Sequence, residues 1–190
     1  MILVKKGDIS IRPADATFKL CIFGDGGVGK TSLTKRYLTN SFDIDTKMTL
    51  GASIFVNYIE KEGKRIALQI WDFGGEEDFR FLLPAYAQGT SAGILMFDLT
   101  RFPTFNAIEE FITFFRDGLS IDRKDIPIVL VGGKMDLLEK RCVERKDALE
   151  AVEKFNLHSY LECSAKTGEN VGELFDKIAS TVIERQNNLV

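Results

Sequence analysis

The apolar run Phe18-Lys19-Leu20-Cys21-Ile22-Phe23 leads directly into Gly24-Asp25-Gly26-Gly27-Val28-Gly29-Lys30-Thr31, and a helix-like stretch from Ser32 to Leu38 follows. The spacing is G-x-x-x-x-G-K-[ST], set between a strand and a helix as a phosphate-binding P-loop requires. Glycines at 24, 26, 27 and 29 let the backbone turn its N–H groups inward around phosphate oxygens. The helix beginning near Gly29 points the positive end of its dipole at the same place. On this reading Asp25, Gly26, Gly27, Val28, Gly29, Lys30, Thr31 and Ser32 form the cradle. Lys30 bridges the terminal phosphates, and the Thr31 hydroxyl ligates Mg2+.

The same alternation continues on either side. Gly93 to Phe97 and Pro127 to Gly132 are short apolar runs of the kind buried on both faces of a parallel sheet. Ser53 to Glu60 and Arg65 to Trp71 flank Lys61-Glu62-Gly63-Lys64 and read as a hairpin. Amphipathic stripes lie between strands: Phe105, Ile108, Phe111, Ile112 and Phe115, then Val171, Leu174, Phe175, Ile178, Ala179 and Val182. Both read as core-facing helices. Strand then helix, repeated, predicts an α/β fold with a mostly parallel sheet and helices on both faces. Ligands of such sheets sit beyond the carboxyl ends of the strands. There the end of Ile66 to Trp71 offers Asp72, an acidic group placed to hold Mg2+, usually through water. Gly74 and Gly75 follow it, and the Gly75 N–H is free to approach a γ-phosphate.

Composition narrows the function. The 190 residues suit one domain with its own core. The net charge of -3, from 25 basic against 28 acidic residues, argues against a broad nucleic-acid surface. Cys21, Cys142 and Cys163 lie far apart, with no C-x-x-C, so no zinc site or disulfide framework is expected and a reducing cytoplasm suits them. The longest apolar runs are strand-length, too short to span a bilayer. The start, Met1 to Lys6, is too short in apolar residues for a secretory signal. With no glycine after Met1 and no cysteine in Arg185 to Val190, no intrinsic membrane anchor is expected. Residues 1–17 form an N-terminal extension, either a small hairpin of Ile2–Val4 with Ile9–Ile11 or a loose arm. Residues 18–185 make the nucleotide-binding domain and 186–190 a tail.

Gly24 to Ser32, Trp71-Asp72-Phe73-Gly74-Gly75-Glu76-Glu77 and Glu162-Cys163-Ser164-Ala165-Lys166 together resemble the motifs of Ras-superfamily small GTPases. The likeness covers about residues 18–184 and is closest to the Rab and Ras branches; the W-D-x-G-G form is also similar to Arf-type members. The resemblance implies a P-loop NTPase with a six-stranded, mostly parallel sheet and one antiparallel edge strand. It implies GTP/GDP and Mg2+ as ligands and slow GTP hydrolysis.

Carried onto this sequence, the resemblance places Phe42 edge-on against the base. Thr49 then gives its hydroxyl to Mg2+ and its backbone to the γ-phosphate. Residues 42–55 and 73–86 become the two switch segments. Lys30, Thr49, Gly75 and Glu76 become the catalytic group, although Glu76 stands where the family usually carries a glutamine that orients water. A carboxylate there meets phosphate repulsion, so its part in hydrolysis is open; Glu77 is a weaker candidate.

Gly133-Lys134-Met135-Asp136 stands at the family's N-K-x-D motif. Asp136 accepts from guanine N1–H and the 2-amino group, Lys134 lies along the base, and Ala165 N–H, between Ser164 and Lys166, meets O6. Gly133 replaces the asparagine, at the loss of a hydrogen bond or two of about 0.5–1.5 kcal/mol each. Ile54, Trp71 and Tyr86 match an effector-binding hydrophobic cluster. A scaffold that holds nucleotide with little hydrolysis is the rival reading. A P-loop kinase is disfavoured because no arginine-rich lid insert is present.

Overall fold

The computed structural model describes residues 2–4, 12–44, 48–76, 80–121 and 125–188. The strands are β1 (Ile2–Val4), β2 (Ala16–Phe23), β3 (Ala52–Lys61), β4 (Lys64–Phe73), β5 (Ala92–Asp98), β6 (Ile128–Gly133) and β7 (Ser159–Cys163). The α-helices are α1 (Lys30–Thr39), α2 (Leu83–Ala87), α3 (Phe102–Asn106), α4 (Ile108–Asp117), α5 (Arg145–Lys154) and α6 (Val171–Asn187). The sheet order is β1-β3-β4-β2-β5-β6-β7. Strands β4, β2, β5, β6 and β7 run parallel, and β3 runs antiparallel to β4. These are the six expected strands. Order reverses at β2, so its carboxyl end, where the glycine loop begins, opens at a topological switch point.

Two features differ from the sequence reading. Strand β1 lies outside β3, in register Ile2↔Ile54, Leu3↔Phe55 and Val4↔Val56, and runs parallel to it. The sheet therefore has a short seventh strand, and β3 is no longer its outermost member. Ile2–Val4 spends its backbone groups on β3; residues 9–11, its other expected partner, lie outside the described residues. The stripe from Phe105 to Phe115 is also two helices: α3 ends at Asn106 and α4 begins at Ile108. The buried positions Ile108, Phe111, Ile112 and Phe115 fall on α4 alone.

The β3–β4 hairpin closes through Glu62 and Gly63, both left-handed (φ 53° and 73°), the geometry of a two-residue turn that matches strand twist. One side of the sheet packs on α1 and α6, where Leu33, Leu174, Phe175 and Ile178 meet Leu20, Ile22 and Ile94. The other packs on α4 and α5, where Phe111, Phe115 and Ala148 meet Phe23, Leu95 and Leu130. With the core split between the two faces, the loops at the carboxyl ends of β2, β4, β5, β6 and β7 are left free to carry chemistry.

Candidate functional site

Those loops surround a cleft of about 610 Å³. Gly26 to Ser32, Phe42, Thr49, Gly75, Glu76, Lys134, Asp136, Ala165 and Lys166 line it, so nearly every expected site residue is in one place. Asp72 and Ser164 lie just behind the wall and are fully buried. Asp25 accepts a hydrogen bond from Gly26 N at 2.8 Å, turning back into its own loop.

The glycine loop is shaped by a tight approach at Gly24, where a Cβ would lie 2.1 Å from Met96 O, and by backbone angles that favour glycine. Gly24 and Gly29 adopt φ 133° and 105°, values L-residues rarely reach. Lys30 is 6% exposed, and its ammonium donates to Gly24 O at 2.8 Å and Asp25 O at 2.7 Å. Burial pushes its pKa down to about 8, against the pull of the Asp72, Asp25 and Glu76 carboxylates. An anion at the loop would complete a cation that now has only carbonyl partners.

Beside it, oxygens from three distant segments converge. Thr31 Oγ1 donates to Asp72 Oδ2 at 2.6 Å and lies 2.8 Å from Thr49 Oγ1. Asp72 Oδ1 is buried without a hydrogen-bond partner. Burial raises the Asp72 pKa to about 6, partly offset by the Thr31 hydrogen bond and by Lys30. A buried orphaned carboxylate oxygen next to two hydroxyls suits a hard, oxygen-seeking cation such as Mg2+. These residues fit the metal the sequence implies.

The two shifts define a pH dependence for the nucleotide-free fold. A raised carboxylate pKa stabilises the fold below the unfolded value of 3.8, and that contribution is lost as pH rises through about 6. A lowered lysine pKa stabilises it above 10.5, and that contribution is lost as pH falls through about 8. Between about 6 and 8 both groups are charged and the empty cradle is least favourable. Asp72→Asn is expected to raise the Tm of nucleotide-free protein more at pH 7 than at pH 5. The gain is on the order of 3 kcal/mol from about two pKa units, and thermal melts in chelator at the two pH values measure it. Equal shifts at both would remove Asp72 as the source.

The segment that follows β4 leans over the loop. A Cβ on Gly26 would lie 2.5 Å from Glu76 Oε1, so the Glu76 carboxylate stands at the mouth of the cradle. A Cβ on Gly75 would strike the backbone of Gly24 and Asp25. Gly74 N donates to Gly51 O at 2.7 Å, joining the two segments. Glu77, and residues 45–47 of the first segment, lie outside the described residues.

At the far end of the cleft, Asp136 Oδ1 accepts from Ser164 Oγ at 2.6 Å, and Ser164 Oγ also accepts from Thr167 N at 3.1 Å. Ser164 thus holds Asp136 in position. Lys134 has φ 63°, and its ammonium pairs with the buried Asp98 carboxylate at 2.7 Å. Phe42 is 38% exposed at the cleft edge. Ile54 pairs in register with Trp71, whose ring lies 6.2 Å from that of Tyr86. All three are half-buried, and the two aromatic rings each pack on Phe73.

Four side chains here were not singled out in the sequence. Arg101 Nε meets Asp98 Oδ2 at 3.0 Å and its Nη2 donates to Gly26 O at 2.6 Å. Arg80 donates to Asp25 Oδ1 at 3.1 Å and to Glu110, tying the second segment to the glycine loop. Arg36 donates to Ala165 O at 2.6 Å and Lys166 O at 2.5 Å, fixing the base-side loop to α1. Asp98 and Arg101 end or follow β5, so the carboxyl-end rule pointed at them. Nothing in the sequence marked Arg36 or Arg80.

A family model described as Ras family matches residues 19–184. Ras-related protein Rab-19 of Rattus norvegicus is 34% identical over 173 residues, 91% of this chain and 78% of that protein. Ras-related protein Rab-11A of Dictyostelium discoideum is 34% identical over 168 residues, 88% of this chain and 77% of that protein. The Homo sapiens Rab-19 protein is 34% identical over 173 residues.

Proposed function

The chain belongs to the Ras family of small GTPases, and from that membership we propose how its own residues serve the activity. It is a small GTP-binding switch that takes GTP and GDP with Mg2+ and hydrolyses GTP to GDP and phosphate. We place it among signalling or trafficking-type regulators, working in the cytoplasm, with a domain that reaches from β2, which begins at Ala16, to the end of α6 at Asn187 and takes β1 into its sheet, wider at both ends than the 18–185 read from sequence. No helix among the described residues is long and apolar enough to cross a membrane.

One observation supports the residue assignments above the others: Thr31, Thr49 and Asp72 meet beside the buried Lys30 ammonium. Those three would hold Mg2+, which when bound would neutralise phosphate charge. Lys30 and the backbone N–H groups from Gly26 to Ser32 grip the phosphate oxygens. Thr49 and Gly75 carry backbone groups to the γ-phosphate, and losing that phosphate releases both segments. The W-D-x-G-G form suits this, since Gly74 and Gly75 pack where any Cβ would collide with backbone. Asp136, Lys134, Ala165, Lys166 and Phe42 enclose the guanine, and Ser164 holds Asp136 in place from behind. Ile54, Trp71 and Tyr86 present a half-buried apolar face to effector proteins.

The position of Glu76 favours a second reading, a nucleotide-holding module with little hydrolysis. Its carboxylate stands against Gly26, where the γ-phosphate of GTP would meet like charge. Single-turnover phosphate release after mixing with GTP and Mg2+ separates the readings, with the nucleotide that copurifies as a companion measurement. Slow but measurable release with copurified GDP supports the switch; no release over a day supports the module. Glu76→Gln is expected to raise the rate about tenfold or more by removing roughly 1–2 kcal/mol of repulsion. An unchanged rate would take Glu76 out of the mechanism.

A further inference from the structure

Gly133 ends β6 and leads into Lys134 and Asp136, yet it offers the cleft no side chain. The space beside it is occupied. A Cβ on Gly133 would collide with Met96 Cε and would lie 3.1 Å from Val28 O and 3.4 Å from Phe97 O. The same methyl group is 3.5 Å from where a Cβ on Gly29 would stand. Met96 is 2% exposed, sits beside Val131 in the sheet register and also lines the cleft. Its thioether therefore reaches from β5 between the phosphate loop and the base-side loop and touches the cleft at their junction.

We propose that Met96 is a positioning residue for the nucleotide, its methyl group filling the notch at Gly133 and bracing the glycine loop against the loop that carries Lys134 and Asp136. The proposal rests on the nucleotide-binding reading. A flexible, polarizable thioether fills an irregular gap of this kind well. It carries no hydrogen-bond donor and only a weak acceptor, so it braces the loops through packing where a polar side chain at 133 would do so by hydrogen bonds. Residues 96 and 133 then share one volume: a side chain at 133 has to turn the flexible Met96 methyl out of the notch and so undoes the brace. Each single change breaks the brace, and the paired change rebuilds it in polar form.

A double-mutant cycle tests this. Release of a fluorescent GDP analogue is followed for wild type, Met96→Val, Gly133→Asn and the double variant. Thermal melts of each nucleotide-free protein run alongside. Met96→Val is expected to speed release several-fold. Gly133→Asn alone should bring no gain, because the new side chain must first displace the thioether. The double variant should release the analogue about tenfold more slowly than wild type, as two added hydrogen bonds would give. Met96→Leu, close in volume but branched and shorter in reach, replaces Met96→Val if the latter fails to fold. A double variant equal to the product of the singles would overturn the proposal, as would release rates that simply follow the melting temperatures. Wild type that takes up no GDP would overturn the nucleotide reading itself, an outcome distinct from additivity.

Discussion

Lys30→Ala is expected to weaken GDP and GTP binding by about 10²–10⁴-fold while leaving the nucleotide-free fold no less stable. The two outcomes have one cause. The ammonium is buried, bonded only to the Gly24 and Asp25 carbonyls, and its pKa is pushed down to about 8 by burial. Without phosphate the charge costs the fold free energy, so its removal offsets the small cavity left behind. With phosphate present it supplies two charge-assisted hydrogen bonds of about 1.5–3 kcal/mol each from a side chain that is itself buried. Calorimetric titration with GDP and a melt in chelator measure the two halves. Affinity within threefold of wild type would refute the assignment, and so would lost affinity explained by a collapsed melt.

Asp136→Ala should abolish the preference for guanine over adenine. Wild type is expected to favour GTP over ATP by about 10³–10⁴-fold, because adenine has neither donor that this carboxylate is placed to accept and would leave it unpaired. The variant should bind the two within about tenfold of each other, chiefly through lost GTP affinity. Ser164 Oγ holds one oxygen of Asp136 at 2.6 Å, so Ser164→Ala should move the ratio the same way by a smaller factor. Competition of GTP and ATP against a fluorescent GDP analogue gives all three ratios. A wild type that binds ATP and GTP equally would contradict the role given to Asp136.

The glycine loop was legible because its chemistry is backbone chemistry. Four glycines, a lysine and a threonine at fixed spacing leave few other conformations, and the flanking strand and helix were plain from hydrophobic pattern. Thr49 and Asp136 were read by resemblance, since a lone threonine or aspartate in a loop carries no pattern of its own. The bonds of Arg36 and Arg80 were invisible for a different reason. Each joins residues far apart in sequence, Arg36 to Ala165 and Arg80 to Asp25, and arginine on an amphipathic segment reads as solvated surface. Met96 looked like one more apolar residue of a buried strand. Its meaning lies in what Gly133 lacks, and that needs both positions in space. The division between α3 and α4 was hidden because Phe105 keeps helical spacing with Phe111 and Ile112 across the break.

The ladder between β3 and β4 runs to Ala52↔Phe73, and one more bond, Gly74 N to Gly51 O, extends it past both strand ends. One loop enters the hairpin where the other leaves it, so their roots are stitched together at a single seam. Displacing either root by more than a fraction of an ångström breaks that stitch. Postures with one loop seated and the other astray forfeit that bond, so movement at one root is expected to be felt at the other.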